Sequence, residues 1–461
     1  MSYESAVARM FALGHELTQL PSHKFDLEHM RVLLAALEHP ERRFPSVLIA
    51  GTNGKGSTAA TLASILRVSG LKTGLYTSPH LVRINERIRI DGKAISDNGF
   101  ASLHRLVDEI AEGLVQRGDL PWHPSFFEMM TAIAFVHFAQ ERVDLAVLEV
   151  GMGGRLDATN VVEPVVSVIT DISLDHQKYL GNTVAEIARE KVGIIRPGKP
   201  VVTLPQQPEA NDVIGNSILE LGASAINAVP YVPPVSPASG RYFVSSVEKN
   251  LFATGTGETG RVSSQYPLLV MGEEIWVESP LVGRHQLRNV ALAVAAAVEL
   301  SGQEFSGITP KTIERGIRET FWPGRFQVIC AQAAWPEIVI DVAHNPAGAW
   351  ALRSALSEGY EGRPLIFLFA AMRDKAISEM AEILFPLAER VIATQPENPR
   401  AASAEEIRQA ARRTGAEIEA VTNVEDALYR ARDLAGTESV IVITGSIYLV
   451  GEVMPLVSAE T

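Results

Sequence analysis

Short apolar runs alternate with amphipathic stretches over most of this chain, and the alternation predicts strands followed by helices. In the first half, β-branched runs predict strands at Ser46–Ala50, Thr73–Tyr76, Leu145–Val150, Val165–Thr170 and Pro200–Thr203. From Ile338 onward, they predict strands at Ile338–Val342, Leu365–Phe369, Val391–Thr394, Ile418–Val421 and Val440–Thr444. Strands that alternate with helices form mainly parallel sheets, so we predict two α/β domains.

Two interruptions of this pattern predict where the domains begin and end. Residues 228–280 start with a group of prolines and continue as polar, Gly- and Ser-rich alternating segments. They predict antiparallel hairpins inserted in the first domain or packed on its edge. A predicted helix over 311–320 is then followed by Trp322-Pro323-Gly324. We therefore predict a domain over 1–320, with a β insertion at about 228–280, and a smaller domain over 321–461.

Composition and charge exclude several classes of protein. With 46% hydrophobic and 21% charged residues, the 461-residue chain is globular rather than disordered or collagen-like. Its net charge of −13 argues against nucleic-acid binding, which needs surplus Lys and Arg, but permits a local basic pocket. The single Cys330 permits no internal disulfide and fits a reducing compartment. The longest apolar run, Val290–Val298, is far shorter than the ~20 residues of a membrane span. We expect a soluble, cytoplasmic protein that does not bind membranes.

A glycine-rich loop is the first candidate for chemistry. Gly51–Thr58 follows a predicted strand and leads into a helical stretch, Thr58–Val68. Backbone N–H groups at such a helix start bind phosphates, and Lys55 adds a mobile positive charge. The loop is shorter than the standard nucleotide-binding pattern, and Gly56 separates Lys55 from Ser57. An ordinary turn is the alternative, but the strand–loop–helix context favours phosphate binding. A second string, Gly255–Gly260, matches the dinucleotide fingerprint but lacks the following helix, and we predict a hairpin turn there.

Three polar side chains follow the predicted strands of the first domain. Ser78 comes after Thr73–Tyr76, Glu149 lies at the end of the next strand, and His176 comes shortly after Val165–Thr170. Carboxyl ends of parallel strands meet at one edge of a sheet, where ligands bind. A hydroxyl, a carboxylate and an imidazole beside phosphates predict magnesium ligands. Taken singly, Ser78 is also a turn former and His176 a capping or core histidine.

Lys191 occupies an unusual position for a lysine. Thr183 and Glu186 form a capping box that predicts a helix start. On that helix, Lys191 shares one face with the apolar Val184, Ile187 and Ala188. Such a lysine extends its amine to solvent, finds a partner or loses its charge. The functional interpretation is a lysine that faces the active site.

Together these residues resemble a known family, the folylpolyglutamate synthase/dihydrofolate synthase family of Mur-type ATP-dependent amide ligases. The resemblance runs in order along most of the chain. It is carried by Val47–Thr58, Tyr76–Arg83, Leu148–Asn160, Leu174–His176, Arg189–Lys191, Pro323–Phe326, Asp341–Pro346 and Thr444–Gly451. It implies a P-loop ATPase domain with a mainly parallel sheet, followed by a smaller Rossmann-like α/β C-terminal domain.

The resemblance also implies a set of ligand-binding residues. The ATP phosphates would be held by Thr52, Asn53, Gly54, Lys55, Gly56 and Ser57, with Arg325 at the γ-phosphate. Asn289 would lie near the adenine, and Asp341 with His344 near the ribose. Ser78, Glu149 and His176 would bind Mg²⁺, with two magnesium sites expected. Lys191 matches a lysine that relatives carry as a carbamate. Lys55, Lys191, His176 and Arg325 would have catalytic roles.

The implied reaction joins L-glutamate to a pterin-bearing carboxylate through an acyl phosphate formed from ATP. Substrate-binding residues would be Pro79, His80, Phe127, Glu128, Gly153, Gly154 and Arg155. Alternatively, Phe126 and Phe127 begin a helix and pack in the core. The intact 126–128 and 153–155 segments favour both activities, on dihydropteroate and on reduced folates. The expected partners are these small molecules, and the expected state is a monomer.

Two other functions fit the same residues. One is a Mur-type ligase that acts on another carboxylate, such as a cell-wall precursor. The other is a nucleotide-binding protein without ligase activity, which would be expected to lack one of the ligands, whereas Ser78, Glu149, His176 and Lys191 are all present.

Overall fold

A computed structural model describes residues 1–14, 27–234, 241–246, 261–329, 331, 335–436 and 438–459. The chain forms two compact units. The first comprises residues 1–232, 268–275 and 288–320, and the second comprises 233–267, 276–287 and 321–461. Cys330 and the predicted turn at Gly255–Gly260 lie outside the described residues. The domain limits that we derived from the sequence stay a prediction.

The first unit is built on an eight-stranded sheet with the order β4-β3-β2-β5-β1-β6-β7-β8. Its strands are β1 (Ser46–Ala50), β2 (Thr73–Tyr76), β3 (Ile88–Ile90), β4 (Lys93–Ala94), β5 (Leu145–Glu149), β6 (Val166–Ile169), β7 (Pro200–Thr203) and β8 (Ser224–Asn227). Among these eight strands, the pairs β2–β3 and β3–β4 at one edge are antiparallel, and the other pairs are parallel. Every residue of β1 is buried, as expected for a parallel strand covered on both faces.

Helices surround this sheet. They are α1 (Tyr3–Ala12), α2 (Leu27–Ala36), α3 (Lys55–Val68), α4 (Asp97–Arg117), α5 (Phe126–Glu141), α6 (Gln177–Leu180), α7 (Val184–Lys191), α8 (Pro208–Leu221), α9 (Arg284–Ser301) and α10 (Pro310–Arg318). Helices α3 and α10 approach each other closely at Gly316: a Cβ added there would lie only 2.4 Å from the Ile65 Cα. Phe44 makes edge-to-face contacts with Phe135 and Phe138 in the buried core.

A separate three-stranded sheet is formed by the part of the chain between β8 and α9. It has the order β11-β10-β9 and consists of β9 (Arg241–Ser246), β10 (Arg261–Val270) and β11 (Glu273–Ser279). Strands β9 and β10 are antiparallel, as predicted for this region. Residues 233–267 and 276–287 group with the second unit. The insertion of this region in the first domain, or its packing on that domain's edge, stays a prediction.

The second unit contains a six-stranded sheet with its own core. The order is β12-β13-β17-β14-β15-β16, with β12 (Gln327–Ile329), β13 (Glu337–Ile340), β14 (Leu365–Phe369), β15 (Ala388–Ala393), β16 (Ile418–Ala420) and β17 (Val440–Thr444). Its helices are α11 (Pro346–Gly359), α12 (Ile377–Leu384), α13 (Ala404–Ala410), α14 (Val424–Leu434) and α15 (Ile447–Ala459). Phe369 meets Phe385 edge to face in the core.

The predicted fold class is confirmed: both units carry mainly parallel sheets with helices between the strands. The strand that we did not predict in the second sheet is β12, a three-residue antiparallel edge strand. Its run is too short to show the alternation on which prediction depends. Among the described residues, we find no helix with the length and apolar character that a bilayer crossing needs.

Candidate active site

Four neighbouring strands of the first sheet end at one edge of the sheet. The order β2-β5-β1-β6 brings together Ser78 after β2, Glu149 at the end of β5, the glycine-rich loop after β1 and Asp171 after β6. Ligands of open parallel sheets bind at this edge. The strand order therefore collects three segments that are far apart in the chain around the phosphate-binding loop.

Close contacts determine where the loop needs glycine. At Gly54, φ is +87°, and an added Cβ would lie 2.1 Å from the Asn289 Oδ1 on α9. At Gly51, a Cβ would lie 1.8 Å from the Thr170 hydroxyl oxygen. Only glycine permits both approaches without displacing neighbours. Asn289, assigned to the adenine side by the resemblance, thus lies beside the loop.

The first half of the loop is anchored to the segment after β6. The backbone N–H groups of Thr52 and Asn53 both donate to the Asp171 carbonyl oxygen, at 2.8 and 3.2 Å. The Thr52 hydroxyl donates to the Ser173 carbonyl oxygen at 3.0 Å, and the Asn53 amide donates to the Ser173 hydroxyl at 3.2 Å. Thr52 and Asn53 therefore use these groups to hold the loop. The first turn of α3 also carries the N–H groups of Lys55, Gly56 and Ser57, and N–H groups at a helix start are the donors that bind phosphates in proteins.

Both lysines of the candidate site bind the same carbonyl group. The Lys55 ammonium donates to the carbonyl oxygens of Gly51 and Thr52, at 3.1 and 3.2 Å. The Lys191 amine donates to the Gly51 carbonyl oxygen at 2.7 Å. Lys191 ends α7 and is almost fully buried. The predicted lysine thus reaches the phosphate-binding loop, 140 residues away in the chain.

Burial changes the acid–base chemistry of Lys191. Loss of solvation, with a smaller effect from the positive charge of Lys55, lowers the pKa of its amine to about 7, although the charges of Asp175 and Asp157 oppose this shift. A lysine in water has a pKa near 10.4 and is almost never neutral at physiological pH. In this protein a substantial fraction of Lys191 is an uncharged, nucleophilic amine at pH 7.

Two of the three predicted magnesium ligands adjoin each other directly. The Ser78 backbone N–H donates to the buried Glu149 carboxylate at 3.2 Å. His176 has a left-handed backbone, with φ of 50°, and its Nε2 lies 3.9 Å from the Asp175 carboxylate. Oxygen donors such as Ser78 and Glu149 suit Mg²⁺, which keeps water and phosphate oxygens as its other ligands. Within the described ranges, no three His, Cys, Asp or Glu residues form a metal site by themselves.

The predicted pterin side of the site contains a neutral histidine. The Arg87 Nε–H donates to His80 Nδ1 at 2.8 Å, and the Arg87 guanidinium lies 5.1 Å from the centre of the Phe126 ring. Burial, together with the Arg87 charge, lowers the pKa of His80 to about 3. His80 is therefore uncharged at neutral pH, and its Nδ1 accepts the hydrogen bond from Arg87.

Phe126 and Phe127 begin α5, as the alternative interpretation predicted, and Glu128 follows them in the same turn. A Cβ at Gly151 would lie 2.5 Å from the Phe127 ring, so the loop after β5 crosses that ring closely. The Glu128 carboxylate accepts the Ser125 N–H at 2.8 Å, and the Ser125 hydroxyl accepts the Glu128 N–H at 3.3 Å. At least one oxygen of Glu128 is thus engaged in capping α5.

The Gly153–Arg155 segment packs against the end of α7. A Cβ at Gly154 would lie 2.8 Å from the Glu190 carbonyl oxygen, which accepts the Arg155 N–H at 2.7 Å. The Arg155 and Glu190 side chains form a further ion pair at 2.9 Å. The segment assigned to the substrate is therefore bonded to the residue that precedes Lys191.

Asp157 is a buried acid that the sequence analysis did not single out. Its carboxylate accepts the N–H groups of Met152 and Thr159, both at 3.0 Å, and the Thr159 hydroxyl at 2.6 Å. Burial raises the pKa of Asp157 despite these bonds, which lower it. The Asp-x-Thr spacing of an Asx turn could have revealed it.

The second unit contains a separate group of predicted residues at the end of β13. The two Asp341 oxygens accept the N–H groups of Phe326 and Ala343, each at 2.8 Å. Burial raises the pKa of Asp341, and the Arg325 charge partly opposes this shift. His344 Nδ1 lies 2.9 Å from the Val342 carbonyl oxygen. The structure thus holds Asp341 rigidly, with Arg325 close enough to influence its charge.

Comparison with known proteins gives consistent matches along the chain. The Mur ligase middle domain matches residues 49–217, and the Mur ligase glutamate ligase domain matches residues 324–447. A dihydrofolate synthase/folylpolyglutamate synthase of Bacillus subtilis is 32% identical over 93% of this chain and 94% of its own length.

Solved structures of similar proteins match the whole fold. The folylpolyglutamate synthase of Mycobacterium tuberculosis, complexed with ADP and AMPPCP, has a TM-score of 0.81 and 32% identity, and the match covers 98% of each chain. Escherichia coli FolC in complex with DHPP and ADP has a TM-score of 0.79 and 30% identity, over 100% of this chain and 98% of that one. On its sequence matches, this chain belongs to the dihydrofolate synthase/folylpolyglutamate synthase family of Mur ligases.

Proposed function

We propose that this protein uses ATP to ligate L-glutamate to pterin-bearing carboxylates, both dihydropteroate and reduced folates. The observation that carries the proposal is the hydrogen bond from the Lys191 amine to the Gly51 carbonyl oxygen in the glycine-rich loop. Ser78 and Glu149 meet at the same edge of the sheet. A buried amine, a helix start for phosphates and a hydroxyl–carboxylate pair are the groups that a phosphoryl-transferring ligase needs. The relatives named for folylpolyglutamate and dihydrofolate synthesis support the substrate class.

The chemical difficulty in this reaction is that a carboxylate is a poor electrophile. Transfer of the γ-phosphoryl group from ATP to the carboxylate oxygen makes an acyl phosphate and releases ADP. The glutamate amine then attacks the acyl carbon, and phosphate leaves from the tetrahedral intermediate. Phosphoryl transfer depends mainly on positioning and on neutralising charge. Lys55 and the N–H groups of Gly56 and Ser57 supply that neutralisation, and the family resemblance assigns Arg325 to the γ-phosphate.

Magnesium and the rest of the nucleotide use the other predicted residues. Ser78, Glu149 and His176 would hold Mg²⁺, which supplies positive charge to the phosphate oxygens when it is bound. Asn289 serves the adenine side, and Asp341 with His344 serves the ribose. Two magnesium sites remain part of the proposal.

We assign a carbamate to Lys191. An uncharged amine adds CO₂ and loses a proton, which gives a carbamate anion, and the pKa of about 7 keeps part of Lys191 in the reactive form. Activity should fall in CO₂-depleted buffer and return with bicarbonate. Lys191→Arg keeps a positive charge and cannot form this carbamate under these conditions, so its activity should be low and indifferent to bicarbonate. Bicarbonate-independent activity of the unaltered protein would contradict the assignment.

The substrate acid contacts Pro79, His80, Phe127 and the segment Gly153–Arg155 in this proposal. Glu128 contributes through the oxygen that capping leaves available. The proposed partners are small molecules alone, with a cytoplasmic monomer as the working state. The net charge of −13 supports the absence of nucleic acid among them.

Phosphate release from ATP tests the proposal directly. The protein is assayed with Mg²⁺ and L-glutamate, with dihydropteroate in one reaction and tetrahydrofolate in another, and ligated product is identified by mass spectrometry. Stimulation by both acids is the expected result, and stimulation by one alone would leave a single activity. ATP binding without stimulation by either acid would overturn the folate assignment in favour of another Mur-type ligase or a protein without ligase activity.

A further inference from the structure

The aromatic segment assigned to the pterin is covered by a residue from the N-terminal helix. Phe126 is buried, and the ring of Phe11 lies over it with centroids 5.9 Å apart and an angle of 20° between the planes. The Arg87 guanidinium lies 5.1 Å from the same ring. Phe126 is therefore occupied by protein neighbours and offers little surface to a substrate.

Phe11 itself remains 38% exposed, so part of its surface is open to solvent. Its ring centre lies 6.4 Å from that of His80, a residue that we assign to the pterin side. A flat heterocycle placed beside His80 can thus reach the ring of Phe11. Aromatic rings prefer such stacked or tilted arrangements at centroid distances of about 4.5–7 Å.

Helix α1 is fastened to the rest of the unit, so the position of Phe11 is well defined. The Arg9 guanidinium pairs with Asp108 at 2.7 Å and with Glu112 at 2.6 Å, both on α4. At the start of α1, the Tyr3 hydroxyl donates to Asn85 at 2.5 Å. These bonds hold α1 against α4 and against the segment around Asn85, five residues after His80.

We infer that Phe11 forms the aromatic face against which the pterin ring of the substrate packs. Phe126 then has a supporting role, because it backs Phe11 from the protein side. This inference rests on the proposed function and deepens it, since it adds a specificity-determining residue from an element outside all of the motifs discussed above.

The test measures ring binding and catalysis in the full-length protein. Binding of 6-hydroxymethylpterin, which has the ring but no benzoate, is titrated by its fluorescence. Phe11→Leu, which keeps an apolar cover on Phe126, should weaken this binding and raise the KM for dihydropteroate, each by roughly three- to tenfold. Phe11→Trp should retain both values. The KM for ATP should stay unchanged in both variants, which a general loss of structure would not achieve.

A control variant and two outcomes separate this inference from the proposed function. Trp350→Leu removes an exposed aromatic side chain from α11 of the second unit and should alter none of these constants. Normal ligation of pterin acids, with an unchanged KM and unchanged ring binding in Phe11→Leu, would overturn the role of Phe11 and leave the function intact. Failure of the unaltered protein to ligate either acid would overturn the function, and the ring titration would then decide the role of Phe11.

Discussion

Lys191 shows how burial makes a single residue sensitive to pH. The pKa of its amine falls from 10.5 in the unfolded chain to about 7 in the folded one. Between these values the unfolded state binds more protons than the folded state, so this residue adds to the free energy of unfolding as the pH rises. The destabilisation from burying the charged amine is complete below about pH 7 and is fully relieved only above about pH 10.5.

Lys191→Met should remove this pH dependence. Between pH 7 and 9, the free energy of unfolding of the unaltered protein should gain on average about 1.2 kcal/mol per pH unit relative to the variant. Urea unfolding in CO₂-free buffers at several pH values measures the difference. In the control variant Lys311→Met, which removes an exposed lysine, the free energy of unfolding should depend on pH as it does in the unaltered protein. The same pH dependence in Lys191→Met would contradict the assigned pKa.

Alanine substitutions at Gly54 and Gly70 separate the effect of backbone strain from the effect of a steric clash. Their φ angles are nearly equal, at +87° and +89°, but a Cβ at Gly70 would meet nothing within 4 Å, whereas one at Gly54 would meet Asn289. Gly70→Ala should cost about 1 kcal/mol of stability and leave the KM for ATP unchanged. Gly54→Ala should raise that KM at least tenfold. Equal kinetic effects of the two variants would contradict this account.

At the scale of elements, an ion pair joins α9 to the loop after β6. The Arg288 guanidinium binds the Asp171 carboxylate at 2.7 Å, and the Asp171 carbonyl oxygen holds the amides of Thr52 and Asn53. Arg288→Gln should raise the KM for ATP several-fold but cost less than about 1 kcal/mol of stability, because the pair is partly exposed.

A matched pair in the same unit provides the control for that prediction. Arg67 and Glu319 also lie 2.7 Å apart and are about equally exposed, but they join α3 to the end of α10. Arg67→Gln should cost a similar amount of stability and leave the kinetics of ATP use unchanged. Identical kinetics for Arg288→Gln and Arg67→Gln would show that the Asp171 bond does not position the loop.

The capping box of α7 offers another prediction at this scale. The Thr183 hydroxyl accepts the Glu186 N–H at 3.2 Å, and α7, only eight residues long, ends at Lys191. Thr183→Ala should cost about 1 kcal/mol of stability and lower kcat by fraying the helix that positions the lysine. Ser403→Ala removes the equivalent cap of α13 in the second unit. It should cost similar stability with kcat unaltered, and a kcat loss in both variants would contradict a specific role for α7.

At the scale of the whole molecule, the two units have separate hydrophobic cores. Phe135 is fully buried in the first core and Phe367 in the second. Truncating either to alanine should cost about 3–5 kcal/mol. We expect urea unfolding to show two transitions, with Phe135→Ala shifting one and Phe367→Ala the other. One shared transition that both substitutions shift equally would contradict independent cores.

The sequence alone determined the fold class and most strand positions, because hydrophobic periodicity is a local property of the chain. Strands β2, β7, β14 and β17 have the predicted bounds, and the boxes at Thr183 and Ser403 cap the helices that they predict. It also singled out the glycine-rich loop as a candidate for phosphate binding, because its glycines and lysine are adjacent in the chain. Lys191 was detected as a lysine on an apolar face, for the same reason.

Only the tertiary structure decided which groups meet. Strand order placed Asp171 beside the loop, where its carbonyl oxygen takes two N–H groups that the sequence assigned to phosphate. Packing brought Phe11 over Phe126, and the amine of Lys191 to the carbonyl of Gly51. These partners lie far apart in the chain and carry no shared local pattern. Their contacts depend on how whole helices and strands pack, and periodicity within one segment contains no information about that.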